Sequence, residues 1–215
     1  MKSGLILQWL ITLLNGYNRE LLIVIERLYH PTEQYFVGIT EIRNNHNLTT
    51  ADLLGLTQDN KDGILAVQFL SSQLIAGTSH LMSAAQNALN AYHGEYMISR
   101  SLNVEIILYA SAQRQISVAF EKFGLADNLE RVALVIIGTD PQLVETNLNS
   151  IIERVGTPLS TPFAPSDERI LHILEYFDIG SPELSALTSK KDIQSRYQAL
   201  TRCVCSRVSL VAVDS

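Results

Sequence analysis

The sequence predicts an α/β (α+β) fold: a single domain whose mixed sheet of about four strands is surrounded by helices. Three observations carry this reading. Segments of strand and helix periodicity alternate along most of the chain. Residues 104–110 and 132–137 are almost continuously apolar, which suits central strands covered on both faces. The 215 residues, 47% of them hydrophobic, can bury one full core, and the chain contains no internal repeat or low-complexity run.

Residues 17–29 read as a helix, with Leu21, Leu22, Ile25 and Leu28 at helical spacing and His30-Pro31 as its stop. A strand over 35–42, a loop at 44–47, a short helix over 50–56 and a polar turn at 58–62 lead to a second strand over 64–70. The clearest helix spans 77–92. Its apolar face is Leu81, Ala84, Ala85, Ala88, Leu89 and Tyr92, beside a polar stripe of His80, Ser83, Asn87 and Asn90. The apolar run 104–110 follows as a strand, and a helix over 113–123 turns Ile116, Ala119, Phe120 and Phe123 to the core. After the strand 132–137, Asp140-Pro141 is a strong helix start. Val144, Leu148, Ile151 and Ile152 form the buried face of that helix. The three prolines within 157–165 mark a connection, Ile170, Leu171, Leu174 and Phe177 a further helix. One long amphipathic C-terminal helix carries Ile193, Tyr197, Leu200, Val204, Val208 and Val211.

Residues 1–34 are expected to form an N-terminal helical extension to a domain covering 35–215. The apolar run at 5–14 is too short to span a bilayer, and no Ala-x-Ala-like site follows Lys2. A cytoplasmic protein without a membrane partner is therefore expected. Cys203 and Cys205, one residue apart, suit reduced thiols rather than a disulfide or a zinc site. The net charge is −6 and uneven. Residues 185–215 carry five cations against two aspartates, a basic segment of +3 on a body of −9.

The sequence holds no Gly-x-Gly-x-x-Gly, Walker loop, Gly-x-Ser-x-Gly elbow or His-Glu-x-x-His, and the five histidines lack metal-ligand spacing. Neither a metal nor a cofactor is called for. Two constellations remain. Ser111, Gln113, Arg114 and Gln115 follow the apolar run 104–110 at a helix start, where free N–H groups attract anions; Arg114 there either meets a ligand or locks the turn through carbonyls or Glu105. His80, with Gly77, Thr78 and Ser79, sits at the opening of the small-residue helix, as a cap or core residue or as a site residue. A small-molecule enzyme or binding domain would need Arg114 and His80 in one pocket.

The pattern Gly77-x-x-His80-Leu81-x-x-Ala84, followed by Glu105-Ile-Ile-Leu-Tyr-Ala-Ser111-x-x-Arg114-Gln115-Ile116, resembles the kinase-binding small subunit of KEOPS (EKC), in its archaeal type. KEOPS is the complex that installs threonylcarbamoyladenosine in transfer RNA. The resemblance runs through Gly124, Arg131-Val132-Ala133 and Cys205-Ser-Arg207-Val208-Ser209, over about residues 35 to 212. Ala112 stands where family members often have glycine, and residues 1–34 have no counterpart.

The resemblance implies a non-catalytic subunit that binds and supports a small kinase/ATPase. It also implies transfer RNA binding, notably at the 3′ CCA end. Gly77, His80, Ser111, Arg114 and Gln115 are then the family-motif residues. Arg114, Lys190, Lys191, Arg196 and Arg202 are the cations available for RNA. Val204, Val208 and Val211, extending the apolar stripe of the last helix, are candidates for the kinase interface.

Overall fold

The computed structural model describes residues 22–58 and 62–212. Among them four main strands form an antiparallel sheet: β1 (Val24–Leu28), β2 (Tyr35–Arg43), β3 (Ile64–Ser71) and β4 (Arg131–Gly138), in the order β1-β2-β4-β3. A two-residue β5 (Thr157–Pro158) pairs with the end of β2. Eight helices complete the α+β fold: α1 (Thr50–Leu56), α2 (Thr78–His93), α3 (Leu102–Ser111), α4 (Ile116–Phe123), α5 (Pro141–Val155), α6 (Asp167–Tyr176), α7 (Ser181–Leu187) and α8 (Ile193–Leu210).

The sheet is sandwiched. On one face α1 and α5 pack against Ile42, Val67, Phe69 and the even-numbered residues of β4. On the other, α2, α3, α4, α6 and α8 bury Val37, Ile39, Ala66 and Leu70 with Ala133, Val135 and Ile137. This two-sided cover is why β4 reads as a continuous apolar run. Gly38, in the middle of β2, lets α5 lie close; a Cβ there would sit 2.4 Å from Leu148 Cδ1.

Two expected elements are replaced. The run 104–110 is the interior of helix α3. Ser101 caps it by accepting from the N–H of Val104, and it is buried nearly all round. A helix enclosed on every side loses its amphipathic signature, so periodicity cannot tell it from a buried strand. With it goes the strand that would have made a parallel neighbour; every pairing found is antiparallel. The helix expected over 17–29 is overturned from residue 24 on, where β1 pairs antiparallel with β2 from Val24↔Ile39 to Leu28↔Tyr35. The β-branched succession Ile23, Val24, Ile25 outweighs the helical spacing of the leucines. Residues 17–21 and the apolar run 5–14 lie outside the described residues. The short helix α7 had no counterpart in the sequence reading.

A buried ion pair joins the layers. Glu41, on the helix-rich face of β2, accepts from Arg169 Nη2 of α6 at 3.0 Å; their side chains are 1% and 10% exposed. The other carboxylate oxygen of Glu41 accepts from the N–H of Phe163 at 2.5 Å, holding a residue at φ 55°. Arg169 Nη1 reaches the Ile75 carbonyl at 3.5 Å. The Tyr197 hydroxyl of α8 lies 3.1 Å from that same carbonyl and 2.9 Å from the Phe163 carbonyl, and burial pushes its pKa up to about 12.

His80 makes a second joint. Fully buried, its Nδ1 accepts from the Ala76 N–H at 3.1 Å, which leaves the proton on Nε2 to be donated to the Ala110 carbonyl at 2.8 Å. It thereby ties α2 to the loop before it and to the end of α3. Gly77 makes room for this turn with φ 95°. Burial pushes the pKa of His80 down to about 4. The α3 C-cap, Ala112, is left-handed at φ 51°, a conformation that glycine adopts without penalty.

Three outcomes are expected. Arg169→Met leaves the buried Glu41 without its ion-pair partner and destabilises by about 3–5 kcal/mol in chemical denaturation, whereas Glu41→Gln with Arg169→Met regains much of that loss. Because the unfolded chain takes up a proton near pH 6.5 that folded His80 refuses until about pH 4, stability falls as pH drops through this window. The loss is on the order of 3 kcal/mol, and His80→Gln removes that part of the pH slope. Ala112→Gly raises stability by about 1 kcal/mol, read as a shifted denaturation midpoint at constant slope.

Candidate functional site

The sequence singled out the turn at residues 110–115, and the structure makes it a packed corner. Its hydrogen bonds run within α3 and to α6 and the end of α8. Ser111 is buried; its hydroxyl donates to the Leu108 carbonyl at 3.1 Å, and its own carbonyl accepts from the Tyr176 hydroxyl at 2.9 Å. Arg114, largely exposed, donates from Nη1 to the Val211 carbonyl at 2.7 Å and so fastens the end of α8. It does not meet Glu105. Gln115 is an exposed N-cap of α4 without a side-chain cap bond. Together with His80, these residues lock α2, α3, α6 and α8 at one point. The carbonyl lock expected of Arg114 is present, through Val211.

A joint pocket for His80 and Arg114 is overturned. Both imidazole nitrogens are committed to backbone groups inside the core, while Arg114 lies on the surface. Two surface clefts, of about 350 and 530 Å³, include neither residue.

The candidate cations are scattered. Lys190 and Lys191 are exposed ahead of α8, and Arg202 is exposed on it. Arg196 is half-buried and pairs with Asp167 at 3.5 Å. Arg114 sits at the opposite end of α8, an 18-residue helix that spans roughly 27 Å. Arg114 and the lysine pair therefore belong to different surfaces.

The valines expected at a partner interface are core residues. Val204, Val208 and Val211 are buried among α2, α3 and α8. A 3.6-residue stripe marks a buried helix face as readily as a docking face, and here the domain itself takes it up. The apolar side chains that remain outside near this end are Leu210, Ile116 and Phe120, on either side of the Arg114–Val211 link. Cys203 is buried and Cys205 partly so; burial pushes both thiols up, and both are free.

The Glu41–Arg169 pair escaped the sequence reading, although a glutamate inside the otherwise apolar stretch 35–42 was a visible signal. It lies behind the larger cleft, whose walls include Ser72, Arg131, Ser166, Arg169 and His172. Among the described residues no three His, Cys, Asp or Glu side chains are grouped to hold a metal ion, and no helix is long and apolar enough to cross a membrane.

The chain is 29% identical over 135 residues to the EKC/KEOPS complex subunit cgi121 of Aspergillus fumigatus, covering 60% of this chain and 68% of the relative. It is 28% identical over 126 residues to the subunit of the same name from Aspergillus terreus, covering 56% and 62%. To the EKC/KEOPS complex subunit CGI121 of Coccidioides immitis it is 22% identical over 95 residues, covering 44% and 46%. Residues 40–212, most of the described chain, match the family described as kinase binding protein CGI-121, and the chain belongs to that family.

Proposed function

We propose that this protein is a non-catalytic KEOPS subunit that binds and activates the complex's kinase/ATPase and helps hold transfer RNA, by its 3′ CCA end, for threonylcarbamoyladenosine formation. The observation that carries this reading is family membership across residues 40–212, supported by relatives whose names place them in EKC/KEOPS. The motif residues act through the fold: they close the helical layer and leave the partner surfaces to other side chains.

The kinase surface is assigned to Ile116, Phe120 and Leu210, apolar side chains that the core leaves exposed on α4 and at the end of α8, which the Arg114–Val211 hydrogen bond ties to the turn before α4. Docking there would remove from water a patch that the domain has no other use for. The RNA surface is assigned to Lys190, Lys191 and Arg202, exposed cations free to meet phosphates. Two free cysteines accord with a reducing cytoplasm.

The purified protein should co-elute with its cognate kinase and raise the kinase's ATPase rate. Ile116→Asp with Leu210→Asp should weaken that complex at least tenfold while leaving the melting profile intact. Lys190→Glu with Lys191→Glu should weaken transfer RNA binding and lower the slope of log affinity against log salt by about 1–2. Failure to form a complex with the kinase would sink the reading.

A further inference from the structure

We infer that the 350 Å³ cleft between the start of β3, the end of α2 and the start of α3 is a docking site for a short segment of a partner protein that carries an acidic residue beside an apolar one. The cleft shares no lining residue with the surfaces assigned to the kinase and to RNA.

Its apolar wall consists of Leu65, Tyr92, Met97 and Leu102. Leu65 falls where the β3–β4 register shifts, between Ile64↔Gly138 and Ala66↔Ile137. A bulge of this kind re-aims a side chain and ends regular pairing at a sheet edge. Tyr92 is 45% exposed at the end of a helix whose other apolar residues are largely buried, and Tyr96 stands 48% exposed on the adjoining loop. Exposed aromatic rings beside Met and Arg are the composition of protein-recognition surfaces.

The polar wall is Arg100 with Asn103. Arg100 is exposed and has no carboxylate partner among the described residues, and no acidic side chain lines the cleft. The loop that presents it is held from behind. The buried Glu105 carboxylate accepts from the N–H groups of Ile98 and Ser99, at 3.0 and 2.9 Å, and from the Ser99 hydroxyl at 2.7 Å. At the other end, the N–H groups of Gly94 and Tyr96 bond to the Asn90 and Ala91 carbonyls. Met97 and Arg100 thus sit on a segment pinned at both ends, which lowers the entropy lost on binding.

Charge complementarity selects the occupant. One unpaired cation against four apolar side chains fits a single carboxylate next to an apolar residue. A nucleic-acid strand would call for several cations in line, and the acidic body of this chain works against a polyanion.

The test is selection of phage-displayed random octapeptides on the full chain, with affinities then measured by fluorescence polarisation. Enriched peptides are expected to pair an acidic with an apolar residue. They should lose at least tenfold in affinity to Arg100→Glu and to Tyr92→Ala, and bind Lys190→Glu with Lys191→Glu unchanged. Both cleft positions are exposed, and unchanged thermal melts would show the variants folded. The inference is overturned if no such peptide is enriched, or if the enriched ones bind both cleft variants as tightly as the parent. It is also overturned if an RNA octamer, and no peptide, depends on Arg100. Kinase co-elution plays no part in the readout, so the two assignments fail or hold separately.

Discussion

A carboxylate and a guanidinium withdrawn from water, Glu41 and Arg169, set the arrangement on which the rest of this domain depends. Neither belongs to a recognisable motif. Each is tolerable in the interior only because the other is there and because backbone groups take up the remaining hydrogen-bonding capacity. The Phe163 N–H, the Ile75 carbonyl and the Tyr197 hydroxyl are drawn to the same point. Hence β2, the loop after β3, the irregular segment before α6, and α8 all meet there. A pair of this sort adds little net energy over a packed apolar alternative. What it imposes is register: α6 has one position along the sheet that satisfies Glu41.

The family motif plays the matching part at the other end of α6 and α8. Gly77, His80, Ser111 and Arg114 invite a reading as a ligand corner because polar side chains gather next to an apolar run. In the structure both His80 nitrogens, the Ser111 hydroxyl and carbonyl and Arg114 Nη1 are engaged in hydrogen bonds within the fold. Residues of this kind specify how four helices converge. The same logic explains Glu105, buried yet fully occupied by the loop at 98–99.

Elements with local signals were legible in advance. Asp140-Pro141 announced α5, whose cap is the Asp140 carboxylate accepting from the Leu143 N–H. The alternating and continuous apolar runs announced β2, β3 and β4, and the periodic faces announced α2 and α8. Legibility ended where burial erased periodicity or tertiary pairing overrode it. Helix α3 is surrounded, so its sequence looked like a strand, and only Ser101 hinted at a helix start. β1 is a strand because β2 offers an edge beside it, a fact that lies outside the segment that needs it. At the candidate site, residue type was readable and commitment was not. No sequence pattern tells that His80 has both nitrogens engaged, or that Val204, Val208 and Val211 are consumed by the chain's own core. The loose cations fared likewise: an 18-residue helix separates Arg114 from Lys190, a distance invisible in a charge count.

Helix α7 differs from the other seven described helices in having no buried residue. It rests on α8 through the Arg207–Glu183 pair at 2.7 Å, with both side chains about one-third exposed, and through partly buried Leu184. Its opening would expose little apolar area and break few contacts, so its amides should exchange with solvent far sooner than those of α8 beneath it. The lysine pair at 190–191 hangs from the connection that α7 anchors. Among the described residues, a basic loop therefore adjoins a helix with no buried residue. That loop can be repositioned around a partner without any rearrangement of the core.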